Sequence, residues 1–216
     1  MITRIGFAPR KPGLSSVEFQ TAWLYRHGPL AARIPGLIRY WQNHAVLRDG
    51  ECLLAWPGFD ACSELSFPDV DTMNRGFAAE EYQSAVRQDE QLLVDKARGG
   101  LVVAECIDRQ GAIDVPGVRQ ITFMRLASAH KLASLGKVLR EAPLATSVTG
   151  SAIYLALELD SAQPQSAFDA VHVQCFESAE AAESHSRSTE AREHRTFTAA
   201  LVRGVERLIA HARAIV

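Results

Sequence analysis

The sequence lacks any run of about 20 apolar residues, the length a membrane-crossing helix needs. Its opening stretch, MITRIGFAPRKPGLSS, also lacks the apolar centre of a secretory signal. Neither charge sign is in excess: 23 Lys and Arg stand against 25 Asp and Glu, and the basic residues are scattered. That balance excludes the electrostatic footprint of a nucleic-acid binder, so neither nucleic acid nor membrane is expected as a partner. Only four cysteines occur, Cys52, Cys62, Cys106 and Cys175, with no CxxC and no histidines at zinc-ligand spacing. No metal site is expected from them, and reduced, mostly buried thiols are. Low-complexity segments are missing too. Together these absences describe a globular protein expected in the cytoplasm.

What is present is enough hydrophobic sequence, 47% of 216 residues, for one large core or two small ones of about 100 residues each. The chain also repeats itself. Arg26, Pro29, Leu30, Ala31, Gly36 and Tyr40 recur 114 positions later as Arg140, Pro143, Leu144, Ala145, Gly150 and Tyr154. Phe59-Asp60-Ala61 and Phe67 recur 109 positions later as Phe168-Asp169-Ala170 and Phe176. One structural unit imposes one spacing, so the matches mark a tandem repeat whose second copy has lost five residues. The segment CIDRQGAIDVPG, from Cys106 to Gly117, reads as the junction between repeats spanning residues 1–110 and 117–216.

Each copy reads as strand, helix, strand, strand, helix, strand. In the first, ITRIGFAP alternates as a strand does, and Ser15 or Ser16 can cap a helix carrying Phe19 and Trp23. LIRYWQNHAVL and FDACSELSF alternate again, with Asp49-Gly50 and Pro57-Gly58 as turns between them. A helix from about Asp71 to Asp95 and the apolar strand LVVAECI close the unit. The second copy repeats the order with VRQITFMRL, a helix near Lys131 to Glu141, SAIYLALEL, FDAVHVQCF, a helix from about Ala179, and RLIAHARAIV. The order βαββαβ is ferredoxin-like, a four-stranded antiparallel sheet with both helices on one face. The fold class expected is therefore α+β, two ferredoxin-like repeats packed sheet to sheet as an α+β barrel within one chain.

That packing assigns faces. On the third strand Phe59, Ala61, Leu65 and Phe67 form the helix-side set, which turns Asp60, Cys62, Glu64 and Ser66 toward the space between sheets. On the second strand Tyr40, Gln42 and His44 share one face and Trp41 takes the other, and the alternation leaves open which face looks inward. His27 emerges where the first helix stops before Gly28-Pro29. An imidazole there can act as acid or base near neutrality, or simply cap the last carbonyls of its helix. His44 and Tyr40 likewise read either as site groups or as hydrogen-bonded residues of the sheet. Asp60 reads equally as structural, because Asp169 keeps its place in a copy without the histidines. Phe77 and Tyr82 read as core or lid positions. ESHSRSTEAREHR, with His185 and His194, reads as a solvated helical face.

The run F.PRKPGLS..EF...W...HGPLA...PGL.RY.QNH, followed by FD....L.F, resembles the EthD family of the dimeric α+β barrel superfamily. The likeness covers residues 1 to about 107, and the second copy is a degenerate version. It implies that Tyr40, Gln42 and His44 face the space between the sheets, forming a cavity with Asp60 and Glu64. More distantly, the chain is similar to 4-methylmuconolactone methylisomerase, which uses a histidine after its first helix and a tyrosine on its second strand; His27 and Tyr40 fall on those positions. That enzyme's catalytic cysteine aligns with Leu65, and Cys62 lies on the opposite strand face, so the resemblance implies acid/base rather than thiol chemistry.

The resemblance further implies a small-molecule enzyme of catabolic or aromatic metabolism that needs no cofactor. Isomerisation, dehydration or another lyase step on an aromatic, lactone or carbonyl metabolite is expected. His27, Tyr40 and His44 would be catalytic, and Asp60, Glu64, Trp23, Gln42 and Phe77 would bind substrate. The alternatives are a non-catalytic small-molecule binding or accessory protein and a haem-linked monooxygenase. The two histidines His27 and His44 correspond at the 114 offset to Glu141 and Glu158, which predicts one working pocket, in the first copy. Whether the fused barrel pairs further as a homodimer is left open by the sequence.

Overall fold

A computed structural model describes residues 1–54, 59–127, 132–159 and 166–216; the expected Pro57-Gly58 turn and Lys131 lie outside the described residues. The first repeat contains strands β1 (Ile2–Ala8), β2 (Arg39–Ala45), β3 (Ala61–Phe67) and β4 (Gly100–Gly111). The second contains β5 (Gly117–Leu126), β6 (Gly150–Ala156), β7 (Ala170–Phe176) and β8 (Val202–Ala214). Each repeat builds its antiparallel sheet in the ferredoxin-like order, and the two sheets join edge to edge as one closed barrel, β1-β3-β2-β8-β5-β7-β6-β4. The long strands make the seams. β4 pairs with β1 through Gly100–Ala104 and with β6 through Ala104–Gly111, while β8 pairs with β5 and, through Ala210–Ala214, with β2. Cys106 to Gly111, expected as part of a loop, therefore continue a strand, because they have a partner strand in the other repeat.

Helices cover the outside. Helix α1 (Ser16–Ala22) starts on a capping box, in which Ser15 accepts from the Glu18 amide and the Glu18 carboxylate accepts from the Ser15 amide. It continues through a π turn (Trp23–His27) into a short α segment, Gly28–Ala31. Helix α2 (Val70–Ala78), a second π turn (Tyr82–Val86) and α3 (Arg87–Leu93) complete the first repeat. The second repeat carries α4 (Leu132–Glu141), α5 (Ala179–Arg187) and α6 (Thr189–Ala199). Met73 of α2 packs with Tyr40, Leu65 and Phe67. Leu135 and Leu139 of α4 pack with Met124, Ile153 and Ala170.

The barrel interior is filled. Phe7, Phe59, Phe123 and Phe168 crowd together with ring centroids 4.4–5.8 Å apart, among Ile5, Val102, Ile121, Val171, Val173 and Leu208. The chamber expected between the sheets is occupied by side chains. At one point the filling is polar: Arg119 donates to Glu64 at 2.8 Å, Asn43 donates to the same carboxylate oxygen at 2.8 Å, and the Arg119 guanidinium lies over the Trp41 ring.

Pairing also settles what alternation left open. Tyr40 sits opposite Leu65, and Trp41 opposite Glu64. Directly paired residues share a face, so Tyr40, Gln42 and His44 lie outside under the helices, and Trp41 and Asn43 point inward. This reverses the expected orientation of that trio. Cys62, Glu64 and Ser66 do face inward as expected. The repeat matches need a similar correction at the second strand. Trp41 pairs with Glu64 and Ala152 with Val173, and Glu64 and Val173 are themselves 109 apart, so the second strands match at an offset of 111. Tyr154 is therefore not the structural counterpart of Tyr40. It points into the barrel core while Tyr40 points out.

Candidate functional site

With the barrel closed to ligands by its own side chains, open space lies between the helices and the outer face of the N-terminal sheet. One cleft, about 170 Å³, is bounded by Trp23, Ser63, Glu90, Lys96, Leu101 and β1 around Gly6. A second, about 360 Å³, is bounded by Arg4, Met73, Phe77, Tyr82, Val103 and Leu159. They share Arg4 and Leu101. The Tyr82 hydroxyl donates to Glu90 Oε2 at 3.1 Å and so ties their walls together. Gly6 helps to open the first cleft: a Cβ there would stand 3.0 Å from Ser63 Oγ.

The groove is apolar along its walls and charged at its waist. Arg4 lies over the Phe77 ring at 4.4 Å, and Lys96 is ion-paired and hydrogen-bonded to Glu90. Burial, then the Glu90 charge, pushes the Tyr82 phenol up to about 12, so it stays protonated as a donor. Two π turns border this groove, one delivering Trp23 and the other Tyr82, whereas the described helices of the second repeat are α throughout. π turns inside α-helices recur at functional sites because the extra residue re-aims neighbouring side chains.

Behind Trp23 lies a buried polar chain. The His27 ring stacks on the Trp23 indole, centroids 4.0 Å apart, and its Nδ1–H donates to Asp89 Oδ2 at 3.1 Å. Burial alone would raise the Asp89 carboxyl, but His27 and Arg26, the latter 2.5 Å away, outweigh it and hold the group below its ordinary value. Gln42 Nε2 donates to the Trp23 carbonyl at 2.9 Å and to the Tyr40 hydroxyl oxygen at 2.8 Å. Gln42 Oε1 accepts from His44 Nε2 at 3.0 Å. Burial first, then Arg213 and His211, lowers His44 to about 4, and it is neutral at pH 7. Tyr40 is 1% exposed and its phenol is raised far above its ordinary value by burial.

The structure thus brings Trp23 and Phe77 to the groove wall, and His27, Tyr40, Gln42 and His44 together in the layer beneath the helices. Asp60 is elsewhere. It accepts from the Arg10 amide at 2.8 Å and the Arg10 guanidinium at 2.7 Å, with Ser16 at 3.3 Å, and ties the chain at the entry to β3. Glu64 is elsewhere too, inside the barrel on Arg119. Arg4, Ser63, Glu90 and Lys96 were not singled out from sequence, since isolated charged residues in a strand, a helix and a loop carry no motif.

The EthD domain model matches residues 11–97, which lie within the N-terminal repeat of this closed α+β barrel. Among solved structures the chain is similar to an anthrone oxidase-like protein, with TM-score 0.71 and 12% identity over 99% of this chain and 93% of the other. It is similar also to a protein from Fusobacterium nucleatum subsp. nucleatum ATCC 25586, provisionally described as a monooxygenase (TM-score 0.59, 7% identity, 99% and 93% covered). A chlorite dismutase from Candidatus Nitrospira defluvii shares the fold (TM-score 0.54, 11% identity, 99% and 91% covered). At these identities the likeness establishes the fold. A search of curated proteins finds no match. Among the described residues no helix is long and apolar enough to cross a membrane.

Proposed function

We propose that the N-terminal repeat is an enzyme that performs acid/base chemistry on a flat, carbonyl-bearing small molecule held in the outer groove. The observation that carries this reading is the Glu90 carboxylate, placed on the groove wall between the Tyr82 hydroxyl and the Lys96 ammonium, with the Arg4 guanidinium at the junction of the two clefts. A carboxylate held in this way can remove a proton from carbon beside a carbonyl. The C–H electron pair then forms the enolate, and Arg4 and Lys96 stabilise the negative charge on oxygen. Phe77 lines the groove for a planar substrate, and Trp23, stacked between Phe19 and His27, presents only its edge. His27, fixed by Asp89, positions Trp23. The similarity in fold to an anthrone oxidase-like protein supports an aromatic substrate, anthrone being an aromatic ketone.

The haem-linked alternative requires an imidazole on the wall of a chamber large enough for the macrocycle. His27 and His44 are engaged by Asp89 and Gln42 beneath the helices, and the remaining histidine-lined cleft, in the second repeat, is about 40 Å³. Those residues do not fit a haem.

The test is turnover and ligand-induced thermal stabilisation over a panel of hydroxylated aromatic ketones, for the wild type, Glu90→Gln and Arg4→Ala. Stabilisation retained in Glu90→Gln with turnover down about 10²-fold or more supports the reading. Stabilisation by wild type without any turnover would make the protein a carrier. Ligand binding indifferent to Arg4→Ala would remove the groove from consideration.

A further inference from the structure

The second repeat has a cleft in the place that corresponds to the first repeat's groove. Thr122 pairs with His172 as Gly6 pairs with Ser63, and both pairs face the helices. Where the first repeat has Gly6, Ser63 and Leu101, the second has Thr122, His172 and Arg207, and the space shrinks to about 40 Å³. The His185 and His194 stretch, expected as a solvated face, turns these two imidazoles toward the sheet. His185 packs on Phe176 and His194 lies beside His172, ring centroids 5.5 Å apart.

Every element around the cleft contributes polar groups. β5 gives Gln120 and Thr122, β7 gives His172 and Gln174, and β8 gives Arg207. α5 gives His185, and α6 gives Glu190, His194, Arg195 and Thr198. Several of these are unmatched. His194 Nε2 and Gln120 Oε1 are buried without a hydrogen-bond partner, Gln120 being 5% exposed. Arg207 forms no ion pair or side-chain hydrogen bond among the described residues. Buried polar groups are normally paired, and unpaired ones around a small space mark a missing occupant. Two arginines facing one glutamate repel a cation, and among the described residues no group has the arrangement of a metal site. Gln120 Oε1, itself an acceptor, suits a water, whereas the unpaired Arg207 guanidinium is the group that an anion would satisfy. Space of this size admits a few non-hydrogen atoms. Directly adjoining, through Pro143, Ala145, Glu190 and His194, is an apolar groove of about 100 Å³ walled by Leu144 and the exposed ring of Phe197.

We propose that the C-terminal repeat binds a small organic carboxylate, its head group on Arg207 and His194 beside His172, whose Nε2 is held by Ser151 at 2.9 Å, and its hydrocarbon part along Leu144 and Phe197. Burial, and after it the neighbouring imidazoles and arginines, holds His194 below its ordinary value, so at neutral pH it is an uncharged ring able to donate one N–H. The Arg207 guanidinium supplies the charge and a fork that matches two carboxylate oxygens.

Calorimetric titration of the full chain with acetate and with hexanoate, at constant ionic strength, tests this. Hexanoate should bind at least tenfold more tightly than acetate. Arg207→Gln should weaken both by tenfold or more, and Phe197→Ala, at an exposed position, should erase most of the gain from the longer chain. Circular dichroism and thermal melting establish that each variant is folded. Hexanoate binding no tighter than acetate, or undiminished in folded Arg207→Gln, overturns the proposal. Turnover at the N-terminal groove should persist in Arg207→Gln, which separates this site from that one.

Discussion

The His27 imidazole lies nearly parallel to the Trp23 indole, 18° from coplanar at a centroid separation of 4.0 Å, with Asp89 fixing its edge. This stack is where the first helix, the third helix and the groove meet. A histidine four residues after a tryptophan thereby acts through the tryptophan as well as through its own nitrogens.

Asp89→Asn should destabilise the protein by about 1–3 kcal/mol, because His27 and Arg26 both lose a charged acceptor in a mostly buried setting. Urea unfolding would read this as a lower midpoint at unchanged slope. Trp23→Phe, which keeps a ring on His27, should cost less than Trp23→Ala in the same measurement.

Inside the barrel, Glu64→Leu should cost about 3–5 kcal/mol, since it strands the Arg119 charge at a position 2% exposed. The pair Glu64→Leu with Arg119→Met should recover much of that loss. A double-mutant cycle from denaturant titrations gives the coupling, and simple additivity of the two single losses would contradict the buried pair.

Stability should fall as pH drops from about 6.5 toward 4. His44 is held at about 4 and His172 at about 3, chiefly by burial. Their unfolded-state values are near 6.5. Below 6.5 the unfolded chain takes up protons that the folded chain refuses, so the stabilisation present above 6.5 is lost on acidification. Unfolding midpoints between pH 7.5 and 5 isolate this from the carboxylates, which titrate lower. His44→Gln and His172→Gln should each flatten the slope.

Gly6→Val should abolish ligand-induced stabilisation at the N-terminal groove, since its branched side chain would start 3.0 Å from Ser63 Oγ and extend into the cleft. Ligand titration monitored by thermal melting checks this, with the unliganded melting temperature showing that the barrel still forms.

The tandem repeat, the strand order and the helix-side positions of Ala61, Leu65 and Phe67 were legible because period-two alternation and Gly/Pro punctuation are local signals; Phe59, expected on that side, precedes β3 and turns into the barrel interior. Which side of β2 looks inward was not. Alternation groups Tyr40 with Gln42 and His44, but only the pairing of Tyr40 with Leu65 orients the group, and pairing across strands is not written in one segment. The same limit hid the three-residue slip that separates Tyr40 from Tyr154. Trp23 and Phe77 were named from sequence as substrate-binding, but for a chamber between the sheets, whereas Arg4, Glu90 and Lys96 come from a strand, a helix and a loop whose convergence depends on the barrel. His185 and His194 sit among charged neighbours, and their inward turn follows from helix phase against the sheet.

The seam strands join the two halves of this barrel within one polypeptide, through Ala210–Ala214 on Trp41–Ala45 and Ala104–Gly111 on Gly150–Ala156. A pair of identical chains would have to present two identical clefts, so any substitution that reshaped one would reshape its twin. Covalent union removes that constraint: each molecule holds one roomy, ring-lined groove and one tight cationic niche at a fixed one-to-one ratio, and each is free to change without the other.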